Sequence, residues 1–129
     1  MKYLPDTHIL YWFFENPKKL SKQVLGILKD NKIPLLIPSI IIAELKYIFK
    51  KYRLLSKFKT IFRAILEDPR CVIIPLDEEI IEKMPIDFEM HDSIIIATAK
   101  YFEEIWKEEV IIISCDEEIR NSKVVKVIC

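Results

Sequence analysis

The stretch EVIIISCDEEIR, residues 109–120, decides how the chain is built. Val110 to Ile113 are four β-branched residues in a row, the residue type that packs best on a pleated surface. Polar residues end the run at Ser114, so it reads as a strand. Asp116 then precedes Glu117–Arg120, where a carboxylate caps and stabilises a helix start. A strand, an acid just beyond its carboxyl end and a helix follow one another within a dozen residues.

The same order recurs on either side. KYLP (2–5) is a strand candidate, Asp6 follows it, and a helix runs through the aromatic stretch Tyr11–Phe14. SKQVLGILKD (21–30) has apolar residues at helical spacing, with Ser21 as its N-cap. PLLI (34–37) is a continuous apolar run between prolines, as expected for a strand covered on both faces. Ser39 opens a helix through IIIAELKYIFKKY, and Leu54 to Asp68 forms the second helix of that hairpin. CVIIP (71–75) is the third strand, followed by a short acidic helix at 77–83. A long helix starts at His91 or Asp92 and runs through IIIATAKYFEEIW, and KVVKVI supplies a last strand after VIIIS. Strands separated by helices imply βαβ units, a parallel sheet and helices on both faces, hence an α/β fold. No Gly/Ser-rich linker or repeat interrupts 1–129, which is read as one domain.

Composition narrows the class. Half the residues are hydrophobic (51%) and 31% are charged, the balance of a folded protein rather than a disordered one. Glycine occurs once, at Gly26, while isoleucine, lysine and glutamate abound, a usage resembling that of thermophiles. Net charge is zero, so no whole-molecule field favours nucleic acid, but Lys46–Arg63 holds seven basic residues and no acid. The longest apolar stretch is broken by Pro34, Pro38 and Glu44, so no membrane anchor is expected. Cys71, Cys115 and Cys129 are odd in number and form no CxxC pair. No disulfide framework or zinc ribbon is expected of them, and a reduced, cytoplasmic setting fits best.

Open parallel sheets place their sites beyond the carboxyl ends of the strands, near the point where strand order reverses. Asp6 and Asp116 follow strands there. Glu44 lies on or beside the apolar stripe of its helix, with Ile40, Ile41 and Ile48 at helical spacing, where an unpartnered carboxylate is destabilising. Asp92 stands just before SIIIATA. Singly, each acid has an ordinary role: Asp6, Asp92 and Asp116 as caps, Glu44 as the partner of Lys46 or Arg53. Gathered at one sheet edge, they would repel and raise one another's pKa unless a cation joined them. Oxygen-only ligands suit Mg²⁺ or Mn²⁺, which bind substrate phosphates and activate water, and a second ion about 4 Å away would stabilise the leaving oxygen. The hydroxyls of Thr7, Ser93 and Ser114 flank three of the acids and are expected to orient them or their waters.

Taken together, PDTHIL (5–10), IIAEL (41–45), HDSIIIATA (91–99) and ISCDEEI (113–119) resemble the motifs of PIN-domain ribonucleases, more narrowly the VapC-type toxins of toxin–antitoxin modules. The resemblance implies a three-layer α/β/α sandwich and an endoribonuclease dependent on Mg²⁺ or Mn²⁺. It further implies a homodimer neutralised by a cognate antitoxin. By the same carry-over the acidic set is Asp6, Glu44, Asp92 and Asp116. Asp6, Asp92 and Asp116 would hold metal directly or through water, and Glu44 would position the attacking water.

Other residues take supporting parts. His8 and His91 neighbour two of the acids without the His/Cys convergence of a zinc site. Tyr11, Trp12, Phe13 and Phe14 are expected in the core and in dimer contacts. Lys46, Lys50, Lys51, Arg53 and Lys57 are candidates for RNA phosphates or an acidic antitoxin segment. An RNA-binding or assembly module without turnover is the main rival. A HAD-like phosphatase would need an acid where His8 stands, and a receiver domain would need an acidic pair after the first strand.

Overall fold

In the computed structural model, which describes residues 1–129, the apolar runs become five short strands. They are β1 Lys2–Pro5, β2 Leu35–Pro38, β3 Cys71–Ile74, β4 Val110–Ile113 and β5 Val127–Ile128. All pair in parallel, in the order β3-β2-β1-β4-β5. Strands β2 and β4 are buried along their whole length, which explains why neither alternates with polar residues. Such strands need cover on both faces, and seven helices provide it: α1 Thr7–Glu15, α2 Lys22–Lys29, α3 Ser39–Lys51, α4 Leu55–Glu67, α5 Glu78–Glu82, α6 Met90–Trp106 and α7 Glu117–Arg120. Helix α3 packs against α1 and α4, while α6 packs on β4 and against α5 and α7. The chain moves outward from β1 to β3 in one direction, then returns to build β4 and β5 on the other side of β1. With right-handed crossovers, that reversal puts the two helix groups on opposite faces, giving the α/β/α sandwich. Leu4, Leu36, Ile37, Leu45, Phe49 and Ile112 are among the fully buried residues of its core.

The expected elements are present with small shifts. Strand β2 runs one residue later than PLLI. Helix α6 starts at Met90, before His91 and Asp92, because Glu89 caps it: its carboxylate accepts from the backbone of His91 and Asp92 at 2.9 and 3.3 Å. The last strand is two residues long rather than six, since Lys123 adopts a left-handed conformation (φ 57°) and only Val127 and Ile128 pair with β4. At the other end of the sheet, Arg70 closes α2. Its guanidinium donates to the carbonyls of Leu28 and Asp30, where a cation also suits the helix dipole, and pairs with Asp68 at 3.1 Å.

The cysteine reading is corrected. Cys115 and Cys129 form a disulfide, with Cα atoms 4.8 Å apart, and Cys71 is free. Ile113 pairs with Ile128, so the two cysteines emerge past the same ends of β4 and β5. Counting cysteines could not reveal this, because the third one made the total odd. The bond also removes the cysteine argument for a reduced compartment, although intracellular disulfides are common in hyperthermophiles, whose composition this chain resembles. No helix is long and apolar enough to cross a membrane.

Two stability outcomes follow. The disulfide closes a loop with a sequence separation of 14, so reduction or Cys129→Ser should destabilise the fold by about 3 kcal/mol in urea denaturation. An unchanged midpoint would mean that the bond does not form. Lys107 ends α6 in the left-handed conformation (φ 51°), which a Cβ disfavours, so Lys107→Gly should stabilise by about 1 kcal/mol. A loss of stability there would contradict the assigned helix end.

Candidate active site

Strand order reverses between β1 and β4, and the acids gather at the carboxyl ends of those two strands. Asp6 is the residue after β1. Its backbone N–H donates to the carbonyl of Ile113 at 3.0 Å, continuing the ladder one step beyond the strand. Its side chain caps α1, Oδ1 accepting from the Ile9 N–H at 3.1 Å, while Oδ2 accepts from the Ser114 hydroxyl. Asp6 is only 7% exposed, and burial outweighs these hydrogen bonds, pushing its pKa above the ordinary aspartate range. Ser114 is fully buried, and its oxygen also accepts from the Asp116 N–H at 3.1 Å. One hydroxyl therefore ties the end of β1 to the loop carrying Asp116.

Asp116 caps α7 through Oδ1 alone, accepting from Glu118 and Ile119 at 2.8 and 3.4 Å. Asp92 lies in the first turn of α6. The capping role expected of it belongs to Glu89, which leaves the Asp92 carboxylate facing the other acids. Burial first, then the charges of Asp116, Glu89, Glu118 and Asp6, push its pKa up to about 6. Glu44 pairs with neither Lys46 nor Arg53. Lys46 is two residues on and faces another side of α3, and Arg53 lies in the turn beyond the helix with φ 59°. Glu44 instead accepts from the Thr7 hydroxyl at 3.0 Å and faces His91 Nδ1 at 3.4 Å.

These side chains line one open cavity of about 580 Å³, which brings together all four acids predicted from sequence. Thr7 and Ser114 hydrogen-bond acids, but not the ones they adjoin in sequence: Thr7 donates to Glu44 and Ser114 to Asp6. Ser93 holds none: one residue along the helix is a rotation of roughly 100°, so it points away from Asp92 and donates to the Pro85 carbonyl. His8 and His91 lie at the rim. Glu89 and Glu118 line the cavity without having been expected there, as do Cys115 and Trp12, the latter expected in the core and in dimer contacts. Glu118 was legible in principle, being two residues past Asp116 in the same helix start. Of the basic candidates, Lys57 is committed to Glu15 at 3.0 Å, and Lys51 lies over the Tyr52 ring. Arg53 occupies the α3–α4 turn, leaving Lys46 and Lys50 on the part of α3 nearer the site.

No three His, Cys, Asp or Glu side chains converge closely enough to ligate one ion directly. The donor set nevertheless fits a hard divalent cation. Asp116 caps with one oxygen only, Asp92 caps nothing, and the two are held near Asp6 at a cost that like charges impose on each other. Mg²⁺ keeps several waters and uses one or two carboxylates, so it needs no closed cage of protein ligands.

The chain is similar in fold to three solved structures. The VapBC2 complex of Rickettsia felis, crystallised with a DNA fragment from its promoter, matches with a TM-score of 0.74 and 16% identity, covering 98% of this chain and 97% of that one. A toxin–antitoxin complex from Klebsiella pneumoniae gives 0.64 and 19%, covering 99% and 97%. The RRP44 PIN domain of T. brucei gives 0.60 and 10%, covering 98% of this chain and 73% of that one. No curated protein matches the chain in sequence. The PIN domain family model matches residues 3–124, which include the whole acidic cavity and all of the sheet but Lys2 and the last strand, and the chain therefore belongs to the PIN domain family.

Proposed function

We propose that this protein is a divalent-metal-dependent endoribonuclease and the toxin of a toxin–antitoxin pair. The observation that carries the proposal is the convergence of Asp6, Glu44, Asp92 and Asp116 on one cavity at the switch point of the sheet. The fold likeness to VapBC complexes supports an antitoxin partner, and the likeness to a second PIN domain supports nuclease chemistry. In this reading residues 1–129 are a single cytoplasmic domain that works as a homodimer on RNA.

Each acid has a distinct part. Asp6 is the fixed ligand, locked by Ser114, the Ile9 N–H and its own backbone bond to Ile113. Asp92 brings a carboxylate that caps nothing, and Asp116 keeps its second oxygen free of the α7 cap. Asp6, Asp92 and Asp116 would hold Mg²⁺ or Mn²⁺, which when bound would supply an acidified water and charge to offset that on the phosphoryl oxygens. Glu44, steadied by Thr7 and facing His91, accepts a hydrogen bond from the attacking water and holds it in line with the scissile bond. Thr7 and Ser114 keep their acids from swinging away when the cavity is empty of substrate. The rival reading, RNA binding without turnover, draws on the absence of three directly convergent ligands.

Cleavage of RNA in Mg²⁺ or Mn²⁺ separates the two. Asp6→Asn and Asp92→Asn should each lower kcat by about a hundredfold or more while the circular dichroism spectrum stays native, and EDTA should abolish scission. Full activity of a folded Asp6→Asn protein would overturn the assignment.

The pH response has a defined sign. The Asp92 pKa is raised from 3.8 to about 6 in the folded protein, so folding favours its protonated form. Its contribution to stability is fully present below pH 3.8 and is lost as pH rises through 6. Without divalent ions, the Tm of the parent protein should therefore fall relative to that of Asp92→Asn between those limits. Mg²⁺ should raise Tm above pH 6 and have little effect near pH 4. Parallel pH profiles for the two proteins would contradict the shift.

A further inference from the structure

The acidic cavity repels the very phosphates it is proposed to cut, so RNA on either side of the scissile bond needs cations to hold it. Glu89 and Glu118 add two more carboxylates to the cavity lining. Through Thr7, His8, Glu44 and His91 the cavity opens into a neighbouring hollow of about 540 Å³ that ends on Tyr47. Tyr47 in turn walls a third hollow of about 290 Å³ with Lys46 and Lys50. The first two hollows share four lining residues and Tyr47 stands between the second and the third, so they follow one another from carboxylates past two imidazoles to an aromatic ring and two lysines.

Tyr47 is the conspicuous residue on this course. It is 70% exposed, and the ammonium of Lys50 lies 5.8 Å from its ring centroid. An exposed aromatic ring beside lysines is the arrangement that binds a single strand, with a base stacked on the ring and its phosphates on the cations. Duplex RNA buries its base faces and cannot use it. Building on the metal-dependent site proposed above, we infer that Tyr47, Lys46 and Lys50 form a binding track that admits single-stranded RNA to the acidic cavity from the α3 side. A protein partner on this surface is the competing outcome.

Binding of a short fluorescent single-stranded RNA in Mg²⁺, read by anisotropy on an Asp92→Asn background to avoid scission, tests the track. Tyr47→Ala should weaken binding about tenfold, and Tyr47→Trp should restore it to within about twofold. Lys46→Gln with Lys50→Gln should reduce the slope of log K against log salt by about 1.4, the value for two lost single-strand phosphates. The same sequence as a duplex should bind more weakly and ignore the Tyr47 change. All three side chains face solvent or an open hollow, so the variants should keep the parent Tm. Unchanged single-strand binding in Tyr47→Ala and in the double lysine variant would overturn the track and leave the surface to a protein partner. The two proposals fail separately. Loss of scission in Asp6→Asn with unaltered binding in the Tyr47 and lysine variants removes the track alone. The expected binding changes, in a parent protein that cuts no RNA with Mg²⁺ or Mn²⁺, remove the nuclease reading alone.

Discussion

Carboxylates crowded at the end of an apolar sheet repel one another, and much of the local structure serves to hold them there. Asp6 is buried at the end of β1 with three hydrogen bonds around it. Ser114, fully buried itself, donates to Asp6 and accepts from the Asp116 backbone, joining β1 to the loop after β4. Glu89 takes over the capping of α6, so the Asp92 carboxylate is left among other negative charges. Folding gains helix caps from Asp6, Asp116 and Glu89, but it places the Asp92 carboxylate where burial and neighbouring acids disfavour its charge. A cation would change the sign of the balance, because the burial and repulsion that raise the Asp92 pKa would be offset by attraction toward the ion.

Much of this was visible in the residues. PLLI and VIII marked strands because continuous apolar residues suit a sheet covered on both faces, and the β-branched run of CVII marked another, although Val72 at the sheet edge is exposed. The acids were legible because they follow strands or sit on apolar helix faces, where carboxylates are expensive. Less visible were features set by contacts distant in sequence. Which acid caps α6 depends on where the helix begins, and the choice between Glu89 and Asp92 shifts it by only a turn. Ser93 was expected near Asp92 from adjacency alone, but helical rotation turns it toward Pro85. The Cys115–Cys129 bond depends on β4 and β5 being neighbours, which no local pattern in a two-residue strand reveals.

That bond also bears on the site. Cys115 stands between Ser114 and Asp116 and lines the acidic cavity, so the disulfide fastens the loop carrying Asp116 to the end of the chain. The same economy appears in the turns. With one glycine in the sequence, left-handed positions at Arg53, Lys107 and Lys123 are filled by long cationic residues. The chain trades backbone ease for charge at its surface, and Arg53 adds to the basic end of the α3–α4 hairpin.

The central claim is that Asp6, Asp92 and Asp116 share a divalent cation. Anomalous diffraction from crystals soaked in Mn²⁺ reads this directly. A single strong peak, or a close pair, is expected within the cavity between the ends of β1 and β4, bridged to the three carboxylates directly or through water. Mn²⁺ bound only at surface glutamates elsewhere, with this cavity unfilled, would contradict it.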